Sequence, residues 1–226
     1  MRALADGSAS RIVLNDIRFN GDGRIFILTG PNQGGKTTYA QAIGLAQVLA
    51  QAGLYVPGSR ARISPVDAIH THFPVEEAPA TEAGRLGEEA ARLSEIFDRA
   101  TDASLVILNE SLSSTSAGES LYLAYDVVRI LRLLGARAIF ATHLHELAEE
   151  VSALNAEPGD SPVVSLVSQV EEQAGENGPR IRQTYRIVPG PPRGRSYARE
   201  IAARYGISYE QLHERLRARG LLNGDA

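Results

Sequence analysis

A single lysine stands in a chain that otherwise carries its positive charge on arginine. Lys36 lies in the segment Thr29–Thr38, T-G-P-N-Q-G-G-K-T-T, which fits the phosphate-loop pattern G-x-x-x-x-G-K-[ST]. A compact ammonium can reach between β- and γ-phosphate oxygens, a position that a planar guanidinium fills poorly. The residues expected to hold the phosphates are Gly30, Pro31, Asn32, Gln33, Gly34, Gly35, Lys36, Thr37 and Thr38. The pattern predicts nucleoside triphosphate binding.

Two further polar residues follow apolar segments and are candidates for catalysis. Glu110 comes just after Leu105–Leu108, where a glutamate could orient or deprotonate the water that attacks the γ-phosphate. The alternative is a strand-end glutamate that faces solvent. His143 follows Ala136–Thr142 and could sense the γ-phosphate, although a lone histidine is more often a satisfied core or strand-end residue. Thr37 would place its hydroxyl on Mg²⁺.

These residues need a scaffold of alternating strands and helices. The strands are predicted at 24–29, 104–108 and 136–142, and the helices at 36–51, 84–100 and about 119–134. Strands that alternate with helices indicate an α/β domain with a parallel, doubly wound sheet. Lys36, Glu110 and His143 then all lie just past carboxyl strand ends, the edge along which open α/β sheets bind ligands.

The pattern changes after Glu150. Residues 161–170 and 181–188 alternate between apolar and polar side chains, and Gly175–Pro179 lies between them. This arrangement predicts a β-hairpin. Residues 196–205 and 209–219, separated by a short segment with Gly206, predict a C-terminal helix-turn-helix.

Composition excludes several classes of site. The chain has no cysteine, so disulfides and thiolate metal sites are excluded, and His70/His72 with His143/His145 offer only a weak case for a structural metal. No apolar run could span a membrane and no hydrophobic signal core is present, which favours the cytoplasm. The net charge of −4 argues against a surface that is basic throughout. The ten arginines of Arg180–Arg219 fit either a solvated face with ion pairs or a surface that faces a partner or DNA.

The phosphate-loop segment resembles that of the MutS mismatch-repair ATPases, T-G-P-N-M-G-G-K-S-T-Y, and Pro31-Asn32-Gln33 narrows the match beyond a generic loop. Other family motifs have counterparts in the same order, namely Asn15-Asp16, Gly53–Pro57, Leu105–Glu110, Ser114–Ser116, Ala141–Leu147, and Pro189-Gly190 with Ser196–Ala198. Order and spacing hold from Ile12 to about Arg215. The sequence is therefore identified as a member of this family.

The resemblance implies an ABC-type P-loop ATPase that works as a homodimer with two ATP molecules held between the ATPase faces. Mg²⁺ would be held by Thr37, Asn109 and Glu110, partly through water. Glu110 would be the catalytic carboxylate and His143 the switch histidine. Residues 1–195 are predicted to form the ATPase domain, and 196–226 a helix-turn-helix extension of it that braces the dimer. DNA would be bound by domains absent from this chain, which is expected to be an excised ATPase domain or a truncated relative.

Three positions depart from the family pattern. Asn109 stands where the family has aspartate, which predicts weaker but not absent Mg²⁺ binding. Gly84 stands where the family has its signature serine, so a backbone N–H or Arg85 would have to contact the partner's γ-phosphate. Ile12 stands where many members have an aromatic residue that stacks on adenine, so base discrimination would be loose.

The reading that accounts for most of these residues is an ATP-hydrolysing switch domain of a MutS-like DNA mismatch repair protein. Asn109 and Gly84 motivate one rival, an ATP-dependent dimerisation module with little turnover. A second rival is an SMC-like ABC ATPase that acts in another DNA transaction. It is disfavoured because no leucine-serine-glycine-glycine signature precedes Ser104.

Overall fold

The computed structural model describes residues 12–74, 84–173, 180–192, 205–219 and 221. The described strands are β1 Ile25–Thr29, β2 Ile69–His72, β3 Leu105–Asn109, β4 Arg137–Ala141, β5 Val163–Gln173 and β6 Arg180–Pro189. The described helices are α1 Lys36–Gln51, α2 Gly84–Arg99, α3 Ala117–Leu134, α4 His145–Glu149, α5 Val151–Ala156 and α6 Tyr209–Ala218. Each segment predicted to be regular and described here has its counterpart, while β2, α4 and α5 were not predicted.

The six strands form one sheet in the order β2-β3-β4-β1-β5-β6. The pairs β2–β3, β3–β4, β4–β1 and β1–β5 are parallel. Residues 174–179, which join β5 to β6, are too few for the crossover of about a dozen residues that a parallel pair requires. The sheet is therefore mixed: β1, β3 and β4 are parallel as predicted, β2 and β5 join them in parallel, and β6 lies at the edge. The predicted turn at 175–179 lies outside the described residues.

The central strands are buried on both faces, which explains their continuous apolar sequences. Every residue of β1 and β3 is buried. Successive residues point to opposite faces, so Ile25 and Ile27 join a core formed with α2 and α3, whereas Phe26 and Leu28 join a second core that includes residues of α1. Helices thus cover both faces, as a doubly wound fold requires.

Two compact units are distinguished along the chain. Residues up to 171 together with 183–193 form the first, and 172–182 together with 194–226 form the second. In the second unit, α6 begins with a capping box in which Ser208 and Gln211 bond each other's backbone N–H groups. The first helix of the predicted helix-turn-helix, at 196–205, lies outside the described residues except for Tyr205.

The helices of the described segments do not have the features of membrane-spanning helices. None of them combines the length and the apolar character that crossing a bilayer requires.

Candidate phosphate-binding site

The segment between β1 and α1 is a tight loop whose conformation depends on glycine. Gly30 has φ 140° and Gly35 has φ 87°, values that L side chains rarely adopt. The Gly34 N–H donates to the carbonyl of Pro31 at 3.1 Å, so the loop closes on itself. Gly35 is the N-cap of α1 and has no side chain that could cap the helix. The first-turn N–H groups are thereby left available to an anion.

Lys36 folds back into this loop. Its Nζ donates to the carbonyl oxygens of Gly30 at 2.8 Å and Pro31 at 3.2 Å, and it lies 3.7 Å from Oε1 of Glu110. The side chain is 5% exposed. Burial lowers the pKa of Lys36, and the negative charge of Glu110 partly offsets that effect. The loop therefore holds a desolvated ammonium against weak carbonyl acceptors that phosphate oxygens could replace.

Two oxygen-bearing side chains, those of Thr37 and Asn109, meet where β3 ends beside α1. Thr37 Oγ1 donates to Oδ1 of Asn109 at 2.9 Å, and Glu110 follows directly with its N–H bonded to the carbonyl of Ala141 at 2.8 Å. A hydroxyl, an amide oxygen and a carboxylate are the hard donors that Mg²⁺ prefers, so these residues fit the ion. Among the described residues no group of three His, Asp or Glu side chains is placed so that it could hold a metal.

The Glu110 carboxylate lies between the side chains of Lys36 and His143. His143 Nδ1 donates to its Oε2 at 2.8 Å, while Lys36 faces its Oε1. Burial raises the pKa of Glu110, but the His143 hydrogen bond and the Lys36 charge outweigh it, so the net pKa lies below the usual value. The bond to Glu110 raises the pKa of His143 against the opposing effect of burial. Below that raised pKa the carboxylate is held by both partners.

This pair predicts a pH-dependent contribution to stability. The contribution of His143 to the free energy of unfolding is fully present below about pH 6.5 and is lost as pH rises through the raised pKa of His143. The contribution of Glu110 is lost as pH falls through the lowered pKa of Glu110. His143 is half exposed, so the pair contributes about 0.2–1 kcal/mol, or about 1–3 °C in Tm. Without nucleotide or Mg²⁺, the Tm difference between wild type and His143→Asn is expected to be largest between the lowered pKa of Glu110 and about pH 6.5, and to shrink as pH rises through the raised pKa of His143. A difference that stays constant across this range would contradict the ion pair, and His213→Asn controls for loss of an imidazole.

The structure brings most of the predicted site residues together. Direct contacts link Lys36, Glu110 and His143, and a second contact links Thr37 to Asn109. Asn32, Gln33, Thr37 and Thr38 are exposed on the loop and the first turn of α1. Gly84 is the exposed first residue of α2, with φ 66° and open space where a Cβ would stand.

Sequence reasoning missed Tyr185 on β6. Its backbone is left-handed, with φ 59°, and its Cδ1 lies 3.3 Å from the place where a Cβ on Gly35 would stand. The Asn15 side chain donates to the Tyr185 carbonyl at 2.9 Å and accepts from the Ile187 N–H at 2.7 Å. A half-exposed aromatic ring therefore lies beside the loop. The alternating pattern of β6 gave no signal of this break, since Tyr185 fits it as an ordinary strand residue.

Sequence reasoning also missed the support of the Glu110 turn. Glu110 and Leu112 have φ 50° and 63°, which is unusual for residues other than glycine. His72, 2% exposed, lies at the end of β2 with Nδ1 2.7 Å from Oγ of Ser111, and Ser120 Oγ donates to the Leu112 carbonyl at 2.6 Å. Strained backbone next to candidate chemistry persists when its surroundings fix it, and these side chains do so.

Comparison with known proteins gives the family. Residues 26–218 match MutS domain V. DNA mismatch repair protein MutS of Chlorobium phaeovibrioides is 36% identical over 213 residues, 94% of this chain, and that of Myxococcus xanthus is 35% identical over 219 residues, 96% of this chain. The chain spans 23% of the length of each of these relatives. The chain therefore belongs to the MutS domain V family.

Proposed function

We propose that this chain is the ATP-binding and ATP-hydrolysing switch domain of a MutS-like DNA mismatch repair protein. The observation that carries the proposal is the buried Lys36 ammonium, held inside a glycine loop and 3.7 Å from the Glu110 carboxylate. Family membership supports it, since relatives that the chain matches over more than nine-tenths of its length are DNA mismatch repair proteins. Cytoplasmic location and DNA binding through other domains are further parts of the proposal.

In this proposal the loop binds the phosphates through its backbone. The Gly35 N–H and the N–H groups of the first turn of α1 would face the phosphate oxygens, whereas Pro31 has no N–H and the Gly34 N–H is bonded to the Pro31 carbonyl. Lys36 would exchange the Gly30 and Pro31 carbonyls for β- and γ-phosphate oxygens. Thr37 and Asn109 would hold Mg²⁺, with Glu110 bonded partly through water. The ion, when bound, neutralises negative charge on the β- and γ-phosphates.

Hydrolysis requires Glu110 to turn toward water. The carboxylate accepts a proton from the attacking water, whose oxygen forms a bond to the γ-phosphorus as the bond to the ADP oxygen breaks. His143 and Lys36 hold Glu110 in the absence of nucleotide. Once Lys36 pairs with phosphate, one of those restraints is removed. Nucleotide binding would thereby release the base that the reaction needs.

The switch would be a homodimer that closes on two ATP molecules, braced by the 196–226 extension. Gly84 leaves that position of α2 without a hydroxyl, so contact with the partner's γ-phosphate falls to a backbone N–H or to Arg85. To act as a switch, ATP must favour the closed state by several kcal/mol, about 5.5 for a complete reversal of populations.

The test is steady-state ATP hydrolysis with Mg²⁺ over a wide range of protein concentration. A composite dimer predicts turnover that rises faster than linearly with concentration and reaches a plateau per subunit. Strictly linear turnover would contradict the composite site, and a protein that binds no nucleotide would contradict the whole proposal.

A second candidate is an ATP-dependent dimerisation module with little turnover. It is favoured by Asn109, which supplies a neutral oxygen where a carboxylate would bind Mg²⁺ more strongly, and by the contacts of Lys36 and His143 with the Glu110 carboxylate. This reading predicts dimers with ATP, seen by sedimentation velocity, and no turnover above the level of Glu110→Gln. If the chain is a hydrolysing switch, Glu110→Gln should trap the dimer with ATP and wild type should not.

Asn109→Asp tests the metal-binding part of the proposal. Replacing the amide by a carboxylate next to Thr37 Oγ1 adds a charge where Mg²⁺ would bind, so the Mg²⁺ concentration for half-maximal ATP binding is expected to fall about tenfold. Titration of ATP binding against Mg²⁺ measures this. Asn20→Asp makes the same charge change in an exposed turn and is expected to have no effect. An unchanged midpoint in Asn109→Asp would remove this residue from the metal site.

A further inference from the structure

Ser168 on β5 contacts the phosphate loop from the neighbouring strand. β1 and β5 pair in parallel with Thr29 opposite Val167, so the next residues, Gly30 and Ser168, continue side by side beyond the end of β1. Ser168 is 2% exposed, and its Oγ donates to the Gly34 carbonyl at 2.6 Å. This contact joins residues 134 positions apart in the sequence.

Two glycines of the loop leave room for this one side chain. A Cβ on Gly30 would lie 2.7 Å from Ser168 Cβ, and a Cβ on Gly34 would lie 2.7 Å from Ser168 Oγ. Distances this short do not occur between real atoms of this kind, so Ser168 occupies the space that the absence of side chains at both positions leaves. The loop and β5 are therefore fitted to each other.

The hydrogen bond also fixes the direction of an N–H group. The carbonyl of Gly34 and the N–H of Gly35 belong to one planar trans peptide unit and point in opposite directions. Because Ser168 holds the carbonyl toward β5, the Gly35 N–H is turned away from β5, at the N-terminus of α1. We propose that Ser168 is a positioning residue for phosphate binding, which acts through the Gly34–Gly35 peptide. The proposal rests on the nucleotide binding proposed above.

Loss of the hydroxyl should weaken nucleotide binding without changing the chemistry. In Ser168→Ala the Gly34–Gly35 peptide is free to rotate, and one net hydrogen bond of this kind corresponds to about a three- to tenfold change in Kd. The loss is expected to be equal for Mg·ATP and Mg·ADP, because the loop backbone holds the phosphates common to both. KM for ATP rises by the same factor while kcat stays unchanged, a split that loss of fold stability alone would not produce.

Ser165 provides a matched control on the same strand. Its hydroxyl is buried and has no hydrogen-bond partner within the described part of the chain, so Ser165→Ala is expected to bind nucleotide like wild type. Ser168→Cys keeps an atom at the γ position, which Ser168→Ala lacks, but is a weaker donor. It serves if Ser168→Ala fails to fold.

Titration of Mg·ATP and Mg·ADP into these proteins, with Lys36→Ala as the reference for lost binding, decides the question. We expect wild type and Ser165→Ala to bind both nucleotides with the same affinity. Ser168→Ala is expected to bind each of them three- to tenfold more weakly. Affinity of Ser168→Ala within about twofold of wild type overturns the positioning role and leaves the proposed function intact. If wild type binds neither nucleotide, both the positioning role of Ser168 and the proposed function are overturned.

Discussion

Glu110→Gln is expected to reduce ATP turnover by about 10²- to 10⁴-fold, the usual contribution of a general base, while Mg·ATP still binds. Glutamine has nearly the same shape but cannot accept a proton from water. The change also removes the carboxylate that lies 3.7 Å from Lys36 Nζ, so the ammonium is more easily transferred to phosphate. Nucleotide affinity is therefore expected to stay equal or to increase.

Single-turnover hydrolysis and equilibrium binding, measured on the same preparation, separate the two effects. Glu146→Gln is the matched control, because the Glu146 charge reaches His143 while its position on α4 places it outside the Lys36 contact. That variant is expected to keep turnover within about twofold of wild type. Turnover of Glu110→Gln within about threefold of wild type would assign proton transfer to a different group.

The central part of the fold could be predicted because its strands are buried on both faces. Such strands are continuous apolar runs, and that signal located β1, β3 and β4 to within one residue at each end. β2 was missed because its sequence, I-H-T-H, has no apolar run. It is a strand because β3 offers it an edge to pair with, and a local pattern does not contain that information.

For the site, too, the residues marked by a local motif could be predicted, whereas the contacts made by residues distant in the sequence could not. Lys36, Thr37, Glu110 and His143 were predicted because each belongs to a motif at a strand end. The contacts that hold them come from residues far away in the sequence: His72 supports the turn after Glu110 through Ser111. Glycines 30 and 34 leave room for a close neighbour, but only the β1–β5 register identifies the strand that supplies it.

Comparison with the family motifs revealed two features of the site that local sequence patterns do not show. Asn109 and Gly84 were recognised as departures only by comparison with the family pattern, since neither residue is unusual at the end of a strand or the start of a helix. The structure gives each a physical consequence. Asn109 accepts the hydrogen bond of the Thr37 hydroxyl, and Gly84 is exposed at the start of α2, with no described atom within 4 Å of the place where a Cβ would stand.

Lys36→Ala is expected to weaken the binding of Mg·ATP and Mg·ADP by at least about 100-fold. The ammonium is the one charged donor inside the described loop, and two charge-assisted hydrogen bonds to phosphate correspond to about 3–6 kcal/mol. Isothermal titration with each nucleotide measures the loss. In the absence of nucleotide the variant should remain folded, because Lys36 there bonds only two loop carbonyls and one carboxylate.

Lys36→Arg is the sharper variant, because it keeps the charge and changes only its shape. A chain with 22 arginines among its 23 basic residues readily accommodates guanidinium groups elsewhere, yet the pocket at Lys36 is almost closed to solvent and bounded by carbonyls at 2.8 and 3.2 Å. A planar, wider group cannot occupy that space without moving the loop. Lys36→Arg is therefore expected to lose most of the nucleotide affinity that Lys36→Ala loses. Wild-type affinity in Lys36→Arg would mean that charge alone, and not the reach of a compact ammonium, accounts for the lysine at this position.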